Sequence, residues 1–144
     1  MSTWNRIVVG VDGSKESRQA LDWACDQAGP DGKEVLVVSV WSEPMVPVDL
    51  PNGAYPWGVA TDPVRDLRRM LLDVMSEAQR RYPGVRMRAE ISSGHAAQQL
   101  IKLSERADQV VVGARGHGGF TGMLIGSVSQ HVLAHSTCTV VVVR

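Results

Sequence analysis

The sequence predicts an α/β fold: a single domain over residues 1–144, with an open, doubly wound sheet of five parallel strands in the order 3-2-1-4-5 and helices on both faces. Short runs of β-branched residues are continuously apolar, which is typical of strands that helices cover on both faces. These runs alternate with segments of helical periodicity, and right-handed crossovers between successive strands then produce a parallel sheet. A chain of 144 residues can bury the core of one such domain without disulfides or a metal.

Five apolar runs are assigned to strands, and the third of them has the weakest pattern. They are Ile7 to Val11, Val35 to Val40, Val85 to Ile91, Val110 to Val112 and Val140 to Val143. The closing run from Thr139 to Val143 is short and very apolar, so we expect it at an edge of the sheet. Unpaired backbone groups at such an edge invite another chain, which predicts a homodimer.

Four segments of helical periodicity separate the strands. The first carries apolar residues on one face, namely Ala20, Leu21, Ala24 and Ala28, and charged residues on the other. The second begins after an N-cap at Asp62 and ends before Pro83. The third runs from about His95 to Ala107 and the fourth from Ser127 to His135. The residues predicted to face inward in the last three are Val64, Leu67, Leu71, Val74, Ala78, Ala97, Leu100, Ile101, Ala107, Val128 and Val132.

The segment from Ser42 to Thr61 has neither a helical nor a strand pattern and is rich in proline. Loops of this length in compact domains are usually functional or disordered, and this one leaves the carboxyl end of a strand. Two interpretations are equally supported. The segment is either a lid over a binding site or a surface excursion whose Tyr55 and Trp57 cover an apolar patch.

A glycine-rich loop follows the fourth predicted strand. Gly113, Gly116, Gly126 and Ser127 have the spacing Gly, two residues, Gly, nine residues, Gly-Ser. Glycines can take positive φ angles and bring backbone amides close to an anion. Ser127 opens a helix whose N-terminal N–H groups and dipole favour negative charge. The segment is therefore predicted to bind the phosphates of a nucleotide.

Ligands of open α/β sheets bind past the carboxyl ends of the strands, where the strand order reverses. The turns after Val11 and Val112 then lie side by side, so Asp12 is expected to face the glycine loop. Asp12 is predicted to contact ribose hydroxyls or a phosphate-bound metal. The alternative is a turn with Gly13 that caps the first helix through Ser14.

Composition limits the partners. Lys and Arg together number 15, as do Asp and Glu, so no overall field favours nucleic acid or anionic lipid. The start of the chain has no apolar stretch as long as that of a signal peptide, and no apolar segment approaches the length of a membrane span. A cytoplasmic protein is therefore expected. Cys25 and Cys138 are too isolated for a disulfide framework or a zinc site and are predicted to be buried apolar residues.

The sequence gives little support for a catalytic function. The chain has no GxSxG elbow, and Gly126 is followed by Ser127 where a P-loop requires Lys. Thr121 stands where a dinucleotide fingerprint requires its third glycine, which argues against NAD. Binding without rapid turnover is predicted.

His131 and His135 have the i, i+4 spacing that can chelate zinc. Val132 stands where the helix of a metalloprotease carries its Glu, so an exposed helix face is the favoured interpretation.

The segments IVVGVDGS near the start and VVVGARGHGGFTGMLIGSVSQHVLAHS near the end, with the closing Val run, resemble the universal stress protein family over essentially the whole chain. The glycine spacing is similar to that of the family's ATP-binding subgroup. The resemblance implies that Asp12, with Gly10 and Val11 beside it, lies near the ribose and phosphates, and that the backbone of Val40 meets adenine. The phosphate loop carries over onto Gly113, Arg115, Gly116, Gly126, Ser127 and Val128.

Some details differ from the family or stay undecided. The family often has Pro where this chain has Ala96 and Thr139. For Arg115, a phosphate clamp and a solvated position outside the loop are equally supported.

The resemblance implies an ATP-binding regulator or switch in stress response, compatible with Mg²⁺ on the phosphates, which pairs through its last strand as similar proteins do. The alternative is a slow metal-dependent ATP hydrolase or a nucleotidyl-transferring enzyme, in which Asp12 positions the metal. A third interpretation is an interaction module without nucleotide. The sequence does not distinguish ATP from cyclic AMP or another adenine nucleotide. It also leaves open which stress is involved and which partner lies downstream.

Overall fold

Strands and helices alternate along the whole described chain. The structure is a computed structural model that describes residues 3–42, 62–116 and 125–144. The strands are β1 (Arg6–Gly10), β2 (Glu34–Trp41), β3 (Met87–Ser93), β4 (Gln109–Gly113) and β5 (Thr139–Val143). The helices are α1 (Lys15–Asp31), α2 (Pro63–Arg81), α3 (Ala96–Ser104) and α4 (Ser127–His135).

The five strands form one parallel sheet in the order β3-β2-β1-β4-β5, which confirms the predicted fold class. In the central strand, Val8 lies opposite Leu36 of β2 on one side and Val110 of β4 on the other. The order of strands reverses between β1 and β4, and β5 lies at an edge as the sequence predicted. The turns that follow β1 and β4 are therefore neighbours.

The core has two halves, one on each face of the sheet. Ile7, Val9 and Val37 point toward α1 and α2, where they pack with residues such as Leu21 and Leu71. The alternate strand residues point toward α3 and α4, and they form the second half with Leu100, Ala107 and Val132. Because side chains alternate along a strand, both faces need apolar residues, and this explains the continuous Val and Ile runs.

The two long helices begin as the sequence predicted. In α1, the Ser14 hydroxyl accepts a hydrogen bond from the Ser17 N–H at 3.2 Å, and the helix ends at Gly32 with φ of 64°. In α2, the Asp62 carboxylate caps the first turn by accepting from the Arg65 N–H at 3.1 Å. Each cap satisfies an N–H that would otherwise lack a partner inside the helix.

The third strand and the third helix differ most from their predicted bounds, while the ends of the other strands differ by at most one residue. The third strand spans Met87–Ser93 rather than Val85 to Ile91, and it begins later since the Val85 N–H donates to the Tyr82 carbonyl in the turn after α2. The third helix ends at Ser104 rather than Ala107. The N–H groups of residues 105 and 106 bond to carbonyls three residues earlier, which tightens the last turn and ends the helix.

The prediction that both cysteines are buried holds fully for Cys25 only. Cys25 lies on the buried face of α1, where burial, with the charges of Asp22 and Asp26, raises the pKa of its thiol to about 12. Cys138 is half-buried because it precedes the edge strand β5, which no further strand covers in the described chain.

None of the helices in the described ranges combines the length and the apolar character that a membrane crossing requires. The segment from Ser42 to Thr61, interpreted either as a lid or as a surface excursion, lies outside the described part of the chain except for Ser42.

Candidate functional site

A cavity of about 370 Å³ opens at the carboxyl ends of β1 and β4, where the strand order reverses. Every residue that the sequence singled out as a nucleotide contact lines it. They are Gly10, Val11, Asp12, Val40, Gly113, Arg115, Gly116, Gly126, Ser127 and Val128. The structure brings these residues together, and their role in binding stays a prediction.

Asp12 is compatible with both interpretations that the sequence left open, a contact with a ligand and a turn before α1. Its carboxylate accepts a hydrogen bond from the Ser14 N–H at 2.9 Å, in a turn where Gly13 has φ of 85°. The same side chain lines the cavity and faces Gly116 of the glycine loop. The turn holds the Asp12 carboxylate at the cavity wall. Asp12 can therefore stabilise the turn that leads to the Ser14 cap of α1 and also face a ligand.

Two of the loop glycines, Gly113 and Gly116, are required for close approach and not for positive φ. Gly113, Gly116 and Gly126 all keep negative or extended φ values, so the predicted conformational reason is wrong for these three residues. A Cβ on Gly113 would lie 2.8 Å from the Cβ of Glu16, and a Cβ on Gly116 would overlap the Asp12 carboxylate. The glycines let α1 and Asp12 lie directly against the loop.

The amino end of α4 faces the cavity. Gly126 is its N-cap residue, and no side chain caps its first turn within the described residues. Ser127 and Val128 in that turn line the cavity. An α-helix leaves its first N–H groups without intrahelical partners, and together with the helix dipole they favour an anion.

Ser129 holds this helix end on the loop. Its side chain is buried, and its hydroxyl lies 2.7 Å from the Gly113 carbonyl and 3.2 Å from the Ala114 carbonyl. The Gly126 N–H also donates to the Ala114 carbonyl, at 2.5 Å. These bonds join the carboxyl end of β4 to the amino end of α4. Residues 117–124, which lie between the two in sequence, are outside the described part of the chain.

Arg115 has features of both positions that the sequence left open, a phosphate clamp and a solvated position outside the loop. It lines the cavity, yet its guanidinium forms an ion pair with Glu16 of α1 at 3.3 Å. About half of the side chain is exposed. An exposed pair of this kind contributes little to stability, so the guanidinium can exchange Glu16 for a ligand phosphate at small cost.

Val128 corrects one prediction about the core. The sequence placed it inward with Val132, but it is 37% exposed while Val132 is fully buried. Val128 lies in the first turn, which reaches past the end of β4 to the cavity, and Ser129 takes the inward position there.

Sequence reasoning missed several lining residues. Leu67 and Leu100 were assigned to the core by their helical spacing, and Ala96 was noted only as a departure from Pro. Ser14, Ser17 and Ser129 also line the cavity. Since α2 and α3 each bring an end of an apolar face to the cavity, periodicity alone does not distinguish a core residue from a lining residue.

Ser39 supports the cavity from within the sheet. It is buried, and its hydroxyl donates to the Val11 carbonyl at 2.6 Å. The Val11 N–H donates in turn to the Val38 carbonyl at 2.8 Å. These bonds hold the chain between β1 and Asp12 against β2.

The cavity therefore offers one end with N–H donors and an apolar end at Val38, Val40 and Leu100. Such a combination suits a ligand with an apolar ring and an anionic group. In the described ranges, no three His, Cys, Asp or Glu side chains are grouped as a protein-bound metal would require.

The fold and the cavity together define an α/β protein with a cavity at the switch point of a parallel sheet, where open α/β sheets commonly bind ligands. The chain belongs to the universal stress protein family, whose model matches residues 3–144. A universal stress protein of Mycolicibacterium smegmatis is 35% identical over 138 residues, which are 96% of this chain and 45% of the relative. The chain thus spans less than half the length of the curated relatives that it matches.

Solved structures share the fold. A crystal structure of a universal stress protein in complex with cAMP has a TM-score of 0.66 and 23% identity, covering 96% of this chain and 95% of that one. The universal stress protein of Archaeoglobus fulgidus in complex with dAMP has a TM-score of 0.65 and 20% identity, covering 96% of this chain and 97% of that one.

Proposed function

We propose that this chain binds ATP in the cavity between β1 and β4, and that nucleotide occupancy switches its shape or its choice of partner in a cytoplasmic stress response. The observation that carries the proposal is that the amino end of α4, which no side chain caps among the described residues, lines the same cavity as Asp12 and the closely packed loop glycines. The two similar structures that hold cAMP and dAMP support an adenine nucleotide as the ligand class. A cavity of about 370 Å³ lies within the range of small-molecule sites.

In this proposal the adenine ring lies against the apolar end of the cavity and meets the backbone of Val40. The ribose lies near Asp12, and the phosphates contact the loop amides and the first turn of α4. Ser127 can donate its hydroxyl to a phosphate oxygen, and Arg115 can leave Glu16 for a phosphate.

Mg²⁺ on the phosphates fits the residues present. Mg²⁺ is usually bound by one or two carboxylates together with substrate phosphates and water. The Asp12 carboxylate lies against Gly116, in the loop that would carry the phosphates. Asp12 would hold the ion, which would supply positive charge beside the phosphate oxygens.

A switch requires that nucleotide prefers one shape of the protein over another. Residues 114–126 connect β4 to α4, and the Ser129 hydroxyl of α4 bonds to the Gly113 and Ala114 carbonyls at the end of β4. Phosphates bound at the first turn of α4 would act on this junction directly. We infer regulation rather than catalysis, since Asp12 is the only carboxylate among the described residues that line the cavity.

Titration of the purified chain with ATP, AMP and cyclic AMP, with and without Mg²⁺, tests the proposal. We expect saturable binding of ATP with one site per chain. At about 100 times the Kd, the ligand should add about 2.7 kcal/mol to the free energy of unfolding, which differential scanning calorimetry resolves as a higher Tm. No heat of binding and no rise of Tm with any of the three nucleotides would contradict the proposal.

A phosphate-release assay on the same sample separates the switch from a slow ATP hydrolase. The switch predicts that the chain binds ATP with at most very slow release of phosphate. Release at ordinary enzymatic rates that Asp12→Asn abolishes without weakening ATP binding would favour the enzyme instead.

Homodimerisation through β5 is a further part of the proposal. β5 is an edge strand whose four valines, Val140 to Val143, are only partly buried. Sedimentation velocity should give about twice the 15.6 kDa mass of the chain at micromolar concentration. A monomer under these conditions would rule the dimer out.

A further inference from the structure

The outer face of α4 carries two histidines, away from the cavity. His131 and His135 are both exposed and stand one helical turn apart. Their ring centroids are 6.4 Å apart and their planes are tilted by 30°. Residues at i and i+4 share one face of a helix, so both rings project into the same region of solvent.

A hydrogen bond fixes the tautomer of His131. Its Nδ1 atom lies 2.9 Å from the Ser127 carbonyl oxygen. A carbonyl can only accept a hydrogen bond, so Nδ1 must carry the proton and donate it. In the neutral ring, Nε2 then holds the lone pair. Metal-binding histidines are held in this way, with one ring nitrogen donating to a protein oxygen and the other free to ligate.

The spacing of the rings suits one shared ion. Zinc lies about 2.0–2.1 Å from a histidine nitrogen, which puts the centroid of each ring roughly 3.2 Å from the metal. Two rings that share an ion therefore have centroids at most about 6.4 Å apart, and closer when the ligand angle is bent. The observed 6.4 Å corresponds to a straight N–metal–N angle, whereas the bent angle of a tetrahedral or octahedral ion puts the centroids roughly 4.5–5.2 Å apart. The exposed His135 ring must therefore move about 1–2 Å toward His131, and rotations of exposed side chains that produce such a movement are fast.

The surroundings favour a cation with nitrogen ligands. The segment SVSQHVLAH of α4 contains no Lys, Arg, Asp or Glu, so no fixed side-chain charge of this helix opposes or replaces the imidazoles. His135 is the last residue of α4, where the helix dipole favours positive charge, and His131 lies one turn before it in the middle of the helix. Imidazole suits Cu²⁺, Ni²⁺ and Zn²⁺, whereas Mg²⁺ and Ca²⁺ prefer oxygen ligands.

We propose that His131 and His135 form a two-histidine surface site for a divalent transition metal ion, Cu²⁺, Ni²⁺ or Zn²⁺, with water completing the coordination. The described part of the chain supplies no third His, Cys, Asp or Glu ligand, so the site is open rather than a closed structural zinc centre. It begins one turn from the cavity, because Ser127, which accepts the His131 bond, also lines the cavity. The site does not depend on the proposed nucleotide function.

Isothermal titration of the full, untagged chain with NiCl₂ tests the site. We expect one ion per chain. The single variants His131→Ala and His135→Ala should each weaken binding about tenfold or more, because each removes one of only two protein ligands. Both side chains are exposed, so neither variant should unfold the protein.

Two control variants separate the geometry from the number of histidines. His95→Ala with His117→Ala removes the other two histidines and should leave the affinity unchanged. Leu133→His with His135→Ala keeps the histidine count but changes the spacing to i, i+2, where the rings do not face each other, and should bind as weakly as His135→Ala. Leu133 is 46% exposed and tolerates the change. Wild-type affinity in His131→Ala, or in the respaced variant, would overturn the proposal.

Discussion

Replacing Gly113 with alanine is expected to lower the free energy of unfolding by about 1–3 kcal/mol, the usual cost of an overpacked site. A Cβ on Gly113 would lie 2.8 Å from the Glu16 Cβ and 2.9 Å from the Glu16 carbonyl carbon. The second of these contacts is with backbone, so a side-chain rotation cannot relieve it. Either α1 or the end of β4 must move. Urea denaturation followed by circular dichroism measures the loss.

Gly29→Ala is the matched control for this substitution. Gly29 lies in α1, and a Cβ there meets nothing within 4 Å. Alanine in a helix is more favourable than glycine, so this variant should gain about 0.5–1 kcal/mol. If Gly113→Ala unfolds at the same urea concentration as the wild type, α1 does not rest on β4 as described.

The largest effect on ligand binding is expected from Gly116→Val combined with Gly126→Val. A Cβ on Gly116 overlaps the Asp12 carboxylate, and a Cβ on Gly126 lies 3.4 Å from the Ala114 carbonyl oxygen. The added side chains should displace the Asp12 carboxylate and occupy the space beside the loop amides, which keeps a phosphate out of hydrogen-bond reach of them. Two lost hydrogen bonds to a charged group, at about 1.5–3 kcal/mol each, correspond to at least a hundredfold weaker binding of ATP.

Calorimetric titration with ATP measures this loss, and Gly84→Val provides the control. Gly84 lies in the turn after α2, far from the cavity lining, and a Cβ there meets nothing within 4 Å. Gly84→Val should bind ATP like the wild type. A folded double variant that keeps wild-type affinity for ATP would disprove the role of the loop amides.

The fold could be predicted from the sequence because local and long-range signals agree. Both faces of the sheet are covered, so the strands are continuous apolar runs, and alternation with helices then leaves few possible topologies. The N-cap at Asp62 was recognisable from the residue type and the Pro that follows it. The end of α3 was not, because it depends on hydrogen bonds three residues apart in its last turn.

The candidate site could be predicted only in part. The glycine spacing and the position of Asp12 after β1 indicated the cavity, and the residues named from them do line it. The positive φ expected for Gly113, Gly116 and Gly126 was wrong, and the steric contacts of Gly113 with Glu16 and of Gly116 with Asp12 could not be predicted, since they depend on how α1 and the turn before it are placed. The ion pair of Arg115 could not be predicted either, because its partner Glu16 is 99 residues away in sequence. Contacts of this kind leave no local pattern to recognise.

The division of the core by the sheet has a consequence for how the protein tolerates change. Leu21 and Leu100 lie in separate apolar compartments, with the strand backbone between them. Defects on opposite sides share no neighbouring side chains, so their energetic costs should simply sum. A lineage of such proteins can therefore remodel the α3 and α4 side while the α1 and α2 side keeps its original packing.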